Sequence, residues 1–515
     1  MSRTKRITAP WYPILYVRGY AATMSEIETT TADPYMGFNI GSTMARQNAA
    51  MDVVRFIFES PLVRLMKDHD YVDAFVNGGT DHPPGSVPAR SVWVYRYYEP
   101  VSKSLGSGKR ESMEAFAEGL RAFILEVRRA VCGDDAQALA DFKVHLVAHS
   151  MGGLICRTYL QNICRHGASD PADNRRLQLS AGAASDPLVD KVYTYGTPHS
   201  GIDFGPFNAP DLGPLDRMQV ANFNRDRMRQ YLRIEDEKTP VHSLDGAFPA
   251  ERFFCFIGSN HRDYDAFYGL SKHAAGAMSD GLVRIDNASV QDAPRAIAFR
   301  SHSGPHGIVN SEAGYQNMRR FLFGSVRVTV TLEVEALTLP RAIQEHRDAG
   351  RSIKGSYHFD VACQVRGAAN YLLNERRYAH ESAVLKTFDE LIGEHKPVYL
   401  FTGYLTDAAR MASDRALMFA IDFGVRVPAF EVERRFWFNN HFEGFMYQET
   451  VSFAIRDTSI RYGLASENGL GEAPRQVEQT PLPGGGREIR VAVHTRANLR
   501  PGFKGTLVLH AEPWS

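Results

Sequence analysis

Several things are scarce in this sequence, and each scarcity excludes something. Five cysteines occur in 515 residues: Cys132, Cys156, Cys164, Cys255 and Cys363. They are odd in number and scattered, with no CxxC pair and no zinc-ligand spacing, so neither a disulfide scaffold nor a zinc module is expected. Charge of one sign is not in excess: lysine plus arginine equals aspartate plus glutamate at 59 each. A neutral chain has no general electrostatic pull toward nucleic acid or an anionic membrane, and no nucleic-acid partner is expected. No HExxH and no clustered carboxylate motif occurs, so neither a catalytic metal nor another cofactor is implied. Long apolar runs are missing as well. The opening "MSRTKRITAPWYPILYV" is basic, but its apolar stretch is short and leads straight into sequence that reads as fold. It reads as neither a signal peptide nor a membrane span. The expected location is cytoplasmic, with signal-less secretion as the alternative.

What is present is a large apolar fraction, 44 %, in a chain long enough for two domains. Through about residue 324, short apolar runs alternate with amphipathic stretches. "PILYVRGY" (13–20), "SVWVYRYY" (91–98), "KVHLVAHS" (143–150), "VDKVYTYGTP" (189–198), "RFFCFIGS" (252–259) and "RAIAFRS" (295–301) read as strands. Helices are expected from about Glu111 to Cys132, from Gly153 to Cys164 and from Ser311 to Phe323, the last stopped by Gly324. Alternating strands and helices imply a mostly parallel sheet covered on both faces. After Gly324 the pattern changes. "SVRVTVTLEVEAL" and "SYHFDVACQV" alternate apolar and polar residues, and further strand candidates follow at 398–405, 416–427, 450–456, 488–494 and 506–511. Residues 325–515 are expected to form an antiparallel β-sandwich.

The chemistry centres on "FKVHLVAHSMGGLICRTYL" (142–160), a strand, a turn and a helix with Ser150 at the turn. A serine hydroxyl needs a base, a group to orient the base, and donors for a developing oxyanion. A sharp strand-to-helix turn demands small residues two positions before and after the serine, and Ala148 and Gly152 meet that demand. The competing reading is a serine that merely caps the helix. Downstream, "SDGLVRID" offers Asp280, with Asp263, Asp265 and Asp286 as competitors. "SHSGPHGIVN" offers His302 and His306. The order serine, acid, histidine is that of the α/β-hydrolases. Upstream, "YVRGYAAT" supplies a turn at Gly19, with the Tyr20 N–H as one oxyanion donor and the Met151 N–H as the other. His149 and His199 are read as packing and bracing groups.

These motifs carry a resemblance. "AHSMGG" is similar to the nucleophile turn of several bacterial lipases, which also place alanine first. "YGTPHSG" (195–201) resembles the strand end that follows their elbow helix, "SDGLV" their acid motif, and "GIVNSEAGYQNMRRFLFG" their histidine-to-helix close. Residues 1–324 thus resemble an α/β-hydrolase of the lipase/esterase type, with GPI inositol-deacylase-like hydrolases as the nearest named relatives. The resemblance implies a catalytic Ser150, Asp280 and His302, with His306 the alternate base. It also implies an ester or lipid substrate cleaved through an acyl-enzyme. An acyltransferase or thioesterase on the same fold is the first alternative. An interaction protein working through its β-sandwich is the second.

Substrate choice is expected from two long segments. Residues 20–43 should border the acyl pocket. The insertion at 203–250 carries "LDRMQVANFNRDRMRQYL", whose Met218, Val220, Phe223 and Met228 suggest an amphipathic helix, either a lid or a helix packed on the core. The aromatic run "RRFWFNNHFEGFMY" (434–447) leaves two readings open, transient contact with a lipid surface or sandwich core.

Overall fold

The computed structural model describes residues 7–21, 24–39, 41–47, 53–75, 79–109, 111–179, 188–202, 221–262, 278–304, 307–350, 353–366, 371–375, 382–410, 416–427, 430–432, 436–438, 446–456, 459–495 and 502–515. Contacts divide the chain into two units: residues 1–295 with 300–318, and residues 296–299 with 319–515.

The first unit is built on β1 (Ile14–Val17), β2 (Val72–Asp73), β3 (Ser91–Tyr95), β4 (Val144–His149), β5 (Val189–Tyr195) and β6 (Phe253–Gly258). With β7 (Arg295–Ala298) they follow the order β2-β3-β1-β4-β5-β6-β7. Every registered pair from β2 to β6 is parallel. Strands β1, β5 and β6 are buried along their whole length. Such strands read as continuous apolar runs because helices cover both faces of a parallel sheet. The central strand β4 carries Ala148 between Val17 and Thr194, so the strand that delivers Ser150 is flanked on both sides.

The longer helices are α1 (Met24–Ala32), α2 (Pro61–His69), α3 (Met113–Cys132), α4 (Met151–Thr158), α5 (Arg225–Leu232) and α6 (Glu312–Phe323). In α3, Ser112 caps the first turn by accepting the Ala115 N–H at 3.1 Å, and Gly133 at φ 55° ends the helix. Its Phe116, Leu120, Ile124, Val127 and Val131 are buried at helical spacing. Among the elements that escape a periodicity reading are α1, α2, and a hairpin pairing Ser42–Gln47 with Val53–Phe58. Among the described residues no helix is long and apolar enough to cross a membrane. The five cysteines are free thiols, four of them buried.

The second unit holds two antiparallel sheets. In the first, the strands Val326–Thr338, Val398–Leu405, Arg487–His494 and Gly502–Pro513 form the body, with Gln479–Pro481 pairing Arg487–Ile489 across "PLPGGGRE". The second is centred on Ile353–Val365, Leu417–Arg426 and Tyr447–Ile455. Phe503 of the first sheet meets Phe423 and Tyr447 of the second at ring-centroid distances of 6.1 and 5.5 Å. The inner faces therefore share one aromatic core, as in a sandwich. Of the run 434–447, Phe436–Phe438 forms a short strand paired with Phe430–Val432, and 434–435 and 439–445 lie outside the described residues.

Candidate active site

Ser150 stands between β4 and α4 with φ 52° and ψ −124°, a backbone region that non-glycine residues seldom occupy. Such strain costs of order 1–3 kcal/mol and persists only where neighbours over-determine it. Here they do. The Ser150 N–H donates to the Tyr195 carbonyl at 2.9 Å, and the Thr197 hydroxyl donates to the Ser150 carbonyl at 2.8 Å. A side chain at position 152 would collide with the carbonyl oxygens of Val17 and Arg18 at the end of β1. The need for a small residue two positions after the serine is therefore a β1 contact. Gly152→Ala should force β1 and α4 apart, costing about 1–3 kcal/mol of stability. The midpoint of thermal unfolding should fall, and an unchanged midpoint would show that the turn tolerates a Cβ.

The Ser150 side chain makes no cap hydrogen bond to α4. Its Oγ lies 2.9 Å from His302 Nε2 instead. His302 Nδ1 lies 2.8 Å from Asp280 Oδ2, and the other carboxylate oxygen, Oδ1, accepts the N–H groups of Leu282 and Val283 at 3.0 and 2.8 Å. Ser150, His302 and Asp280 are 4 %, 2 % and 1 % exposed, so the chain of hydrogen bonds runs through a space nearly shut off from solvent. The backbone joins Asp280 and His302 as well, because the His302 N–H donates to the Asp280 carbonyl at 2.9 Å.

The competing residues separate. Asp286 sits exposed in a short turn at Ile285–Asn287. Asp263, Asp265 and His306 lie outside the described residues. His149 Nε2 is 3.0 Å from the His302 carbonyl oxygen, with the two rings 4.9 Å apart. Burial, and then the neighbouring His302, hold its pKa well below the usual range, so it stays neutral and braces the backbone of His302. His199 is also buried and held neutral, with its ring against Phe253 and Nε2 3.2 Å from Thr194 Oγ1. Among the described residues no group of three or more potential ligands is arranged to hold a metal ion.

Gly19 has a role other than the expected turn. Its φ is not in the left-handed region. What position 19 lacks is space: a Cβ there would sit 2.7 Å from Ser150 Cβ and 3.0 Å from His149 Nδ1. Met151 opens α4, so its N–H has no acceptor within the helix. Residues 24–39 are tied down beneath the site. Arg18 donates to the Met36 carbonyl at 2.7 Å, and Arg96 donates to those of Thr31, Asp33 and Pro34 at 2.6–2.7 Å.

The described part of the insertion, 221–250, is packed on the core. The helix α5 begins later than expected, at Arg225, because Asn224 accepts the N–H groups of Asp226 and Arg227 and so caps it. Met228, Tyr231 and Leu232 are its buried face, and Phe223 precedes it in a short turn. Phe223 meets the Tyr20 ring edge-on at 5.9 Å. Met218 and Val220 lie outside the described residues.

Several contributors carry no motif. Arg157 is fully buried in α4, and its guanidinium donates to the carbonyls of His199, Val241 and Ser243 at 2.7–2.9 Å, tying 241–243 to the elbow helix. Burial lowers its pKa to about 10, which leaves it charged at neutral pH. Gly196 and Gly258 leave the room that Asp280 and His302 occupy. A Cβ at 196 would lie 3.0 Å from Asp280 Oδ2 and one at 258 would lie 2.7 Å from Asp280 Cβ. Only "YGTPHSG" hinted at the first of these, and nothing local hinted at the second.

No protein-family model matches the chain, and no curated protein matches it in sequence. Among solved structures it is similar to the phospholipase PlaB from Legionella pneumophila in complex with thio-NAD, at 11 % identity and a TM-score of 0.34, over 80 % of this chain and 84 % of that one. It is also similar to EstA from Clostridium botulinum, at 14 % identity and a TM-score of 0.23, over 62 % of this chain and 89 % of that one. A third similarity is to lipase 1 from Pelosinus fermentans, at 13 % identity and 0.16, over 52 % and 74 %. The fold is legible in the chain itself: a helix-flanked parallel sheet whose central strand ends in a strained serine, with acid and histidine arriving later from the same sheet edge. The first unit has the α/β-hydrolase fold, and an antiparallel β domain follows it.

Proposed function

We propose that the chain is a serine hydrolase that cleaves carboxylic ester bonds, lipid esters included, through an acyl-enzyme. The observation that supports this reading is the unbroken line of hydrogen bonds from Ser150 Oγ through the His302 ring to Asp280, at 2.9 and 2.8 Å. A serine used only to cap a helix would spend its oxygen on the helix N–H groups, and Ser150 does not.

In this mechanism His302 Nε2 takes the hydroxyl proton as Ser150 Oγ attacks the ester carbonyl. Asp280 holds the Nδ1–H tautomer and stabilises the imidazolium that forms. The N–H groups of Tyr20 and Met151 stabilise the oxyanion, an effect typically worth on the order of a hundredfold or more per donor. His302 returns the proton to the leaving alcohol. Water, activated by the same histidine, then releases the acid. No step requires a metal or cofactor. Near-total burial of the three side chains strengthens each of these interactions relative to water. Tyr20 and Phe223, in edge contact beside the elbow, supply apolar surface suited to an acyl group.

A series of p-nitrophenyl esters from acetyl to palmitoyl, run beside the matched thioesters and with added alcohol as a competing acceptor, tests the reading. Ester hydrolysis exceeding thioester hydrolysis, with water the main acceptor, is the expected outcome. Partition of the acyl group mainly to the alcohol would make the chain a transferase. Failure to turn over any ester would overturn the proposal.

A further inference from the structure

The Gly19–Tyr20 peptide is held by groups outside both the elbow and its loop. The Tyr97 hydroxyl lies 3.0 Å from the Gly19 carbonyl oxygen and 3.0 Å from that of Arg18. The Tyr98 hydroxyl lies 3.3 Å from the Gly19 carbonyl oxygen and accepts the Ala21 N–H at 2.8 Å. Both tyrosines lie in the turn that follows β3 after Arg96, and are 3 % and 1 % exposed. In a trans peptide the C=O and the next N–H point to opposite edges of one plane. With the Gly19 oxygen turned to the two phenols, the Tyr20 N–H must leave by the other edge. Gly19 itself abuts Ser150, since a Cβ there would be 2.7 Å from Ser150 Cβ. Rotating this peptide by half a turn would strip the Gly19 oxygen of these contacts and reverse the edge from which the Tyr20 N–H leaves.

We infer that Tyr97 and Tyr98 are positioning residues that lock the Gly19–Tyr20 peptide in its oxyanion-binding orientation. The inference rests on the hydrolase reading above, and on Tyr20 as a donor within it. The two phenols act through the peptide and touch no substrate. Their hydroxyls are the only atoms the role requires, so phenylalanine removes it with little change in packing. Burial raises both phenol pKa values, that of Tyr98 to about 12, so the lock keeps its protons throughout the neutral range.

The test compares Tyr97→Phe, Tyr98→Phe and the double variant with Tyr95→Phe in the full-length protein. Tyr95 donates to the Phe116 carbonyl at 2.9 Å, away from the loop, and is the control for loss of a buried tyrosine hydroxyl. Measured are kcat and KM on a short-chain ester and the inhibition constant of a trifluoromethyl ketone, which forms a tetrahedral oxyanion on the serine. Each single variant should lose about tenfold in kcat, and the double variant on the order of a hundredfold. KM should stay within about twofold, and ketone affinity should fall in step with kcat/KM. An equal loss in Tyr95→Phe would overturn the inference, and so would unchanged kcat and ketone affinity in the double variant. If the wild-type protein neither hydrolyses ester nor binds the ketone, it is the hydrolase reading that fails.

Discussion

Ser150→Ala should abolish ester hydrolysis, with kcat falling on the order of 10⁶-fold while the protein stays folded. The large figure follows from the geometry. Ser150 Oγ lies 2.9 Å from His302 Nε2, the position from which a base takes the hydroxyl proton, and alanine leaves no atom there to attack. Alanine also fits the site, since only an oxygen is lost and the strained φ of 52° remains tolerable for a residue held by Tyr195 and Thr197. Relief of polar crowding around a buried serine commonly leaves such variants at least as stable as the parent. A thermal melt within a few degrees of wild type, together with lost turnover, is the expected pair of results. Residual activity within about a hundredfold of wild type would place the nucleophile elsewhere.

The second large effect concerns the base and its partner. His302→Ala should cost about as much as Ser150→Ala, and combining the two should cost no more than either, because residues that act as one unit do not add. Asp280→Asn should cost on the order of 10⁴-fold, since an amide cannot stabilise the imidazolium and favours the wrong tautomer of His302. His306→Ala should leave kcat within about tenfold. Steady-state kinetics on one ester separates these outcomes. If His306→Ala abolished turnover while His302→Ala retained it, the base would have been assigned to the wrong histidine.

The strand, turn and helix around Ser150 were legible in the sequence because their determinants are local. An apolar strand, a serine, two glycines and a helical run must follow one another, and they do in "HLVAHSMGGLICRTYL". The second domain was legible because period-two alternation over thirteen residues, as in Val326–Thr338, leaves few alternatives to a half-buried strand. The hairpin at 42–58 was not legible, since "STMARQ" carries no sustained apolar–polar alternation. Strand β2 is only two residues long, too short for any periodicity. The insertion misled in a specific way. Met218, Val220, Phe223 and Met228 resemble one helical face, but Asn224 caps a helix that starts after Phe223, so Phe223 and Met228 do not share one element. Gly196 and Gly258 matter because strand ends and the Asp280 turn converge in space. Tyr97 and Tyr98 read simply as the end of a strand, and their partners lie 77 to 79 residues earlier in the chain. Such contacts belong to the tertiary structure and have no one-dimensional signature.

Mapping the adduct of a fluorophosphonate on the wild-type protein by peptide mass spectrometry tests the central claim most directly. The account predicts a single stoichiometric adduct on the Ser150 peptide, formed far more slowly in His302→Ala. No adduct, or one on a different serine that survives Ser150→Ala, would contradict it.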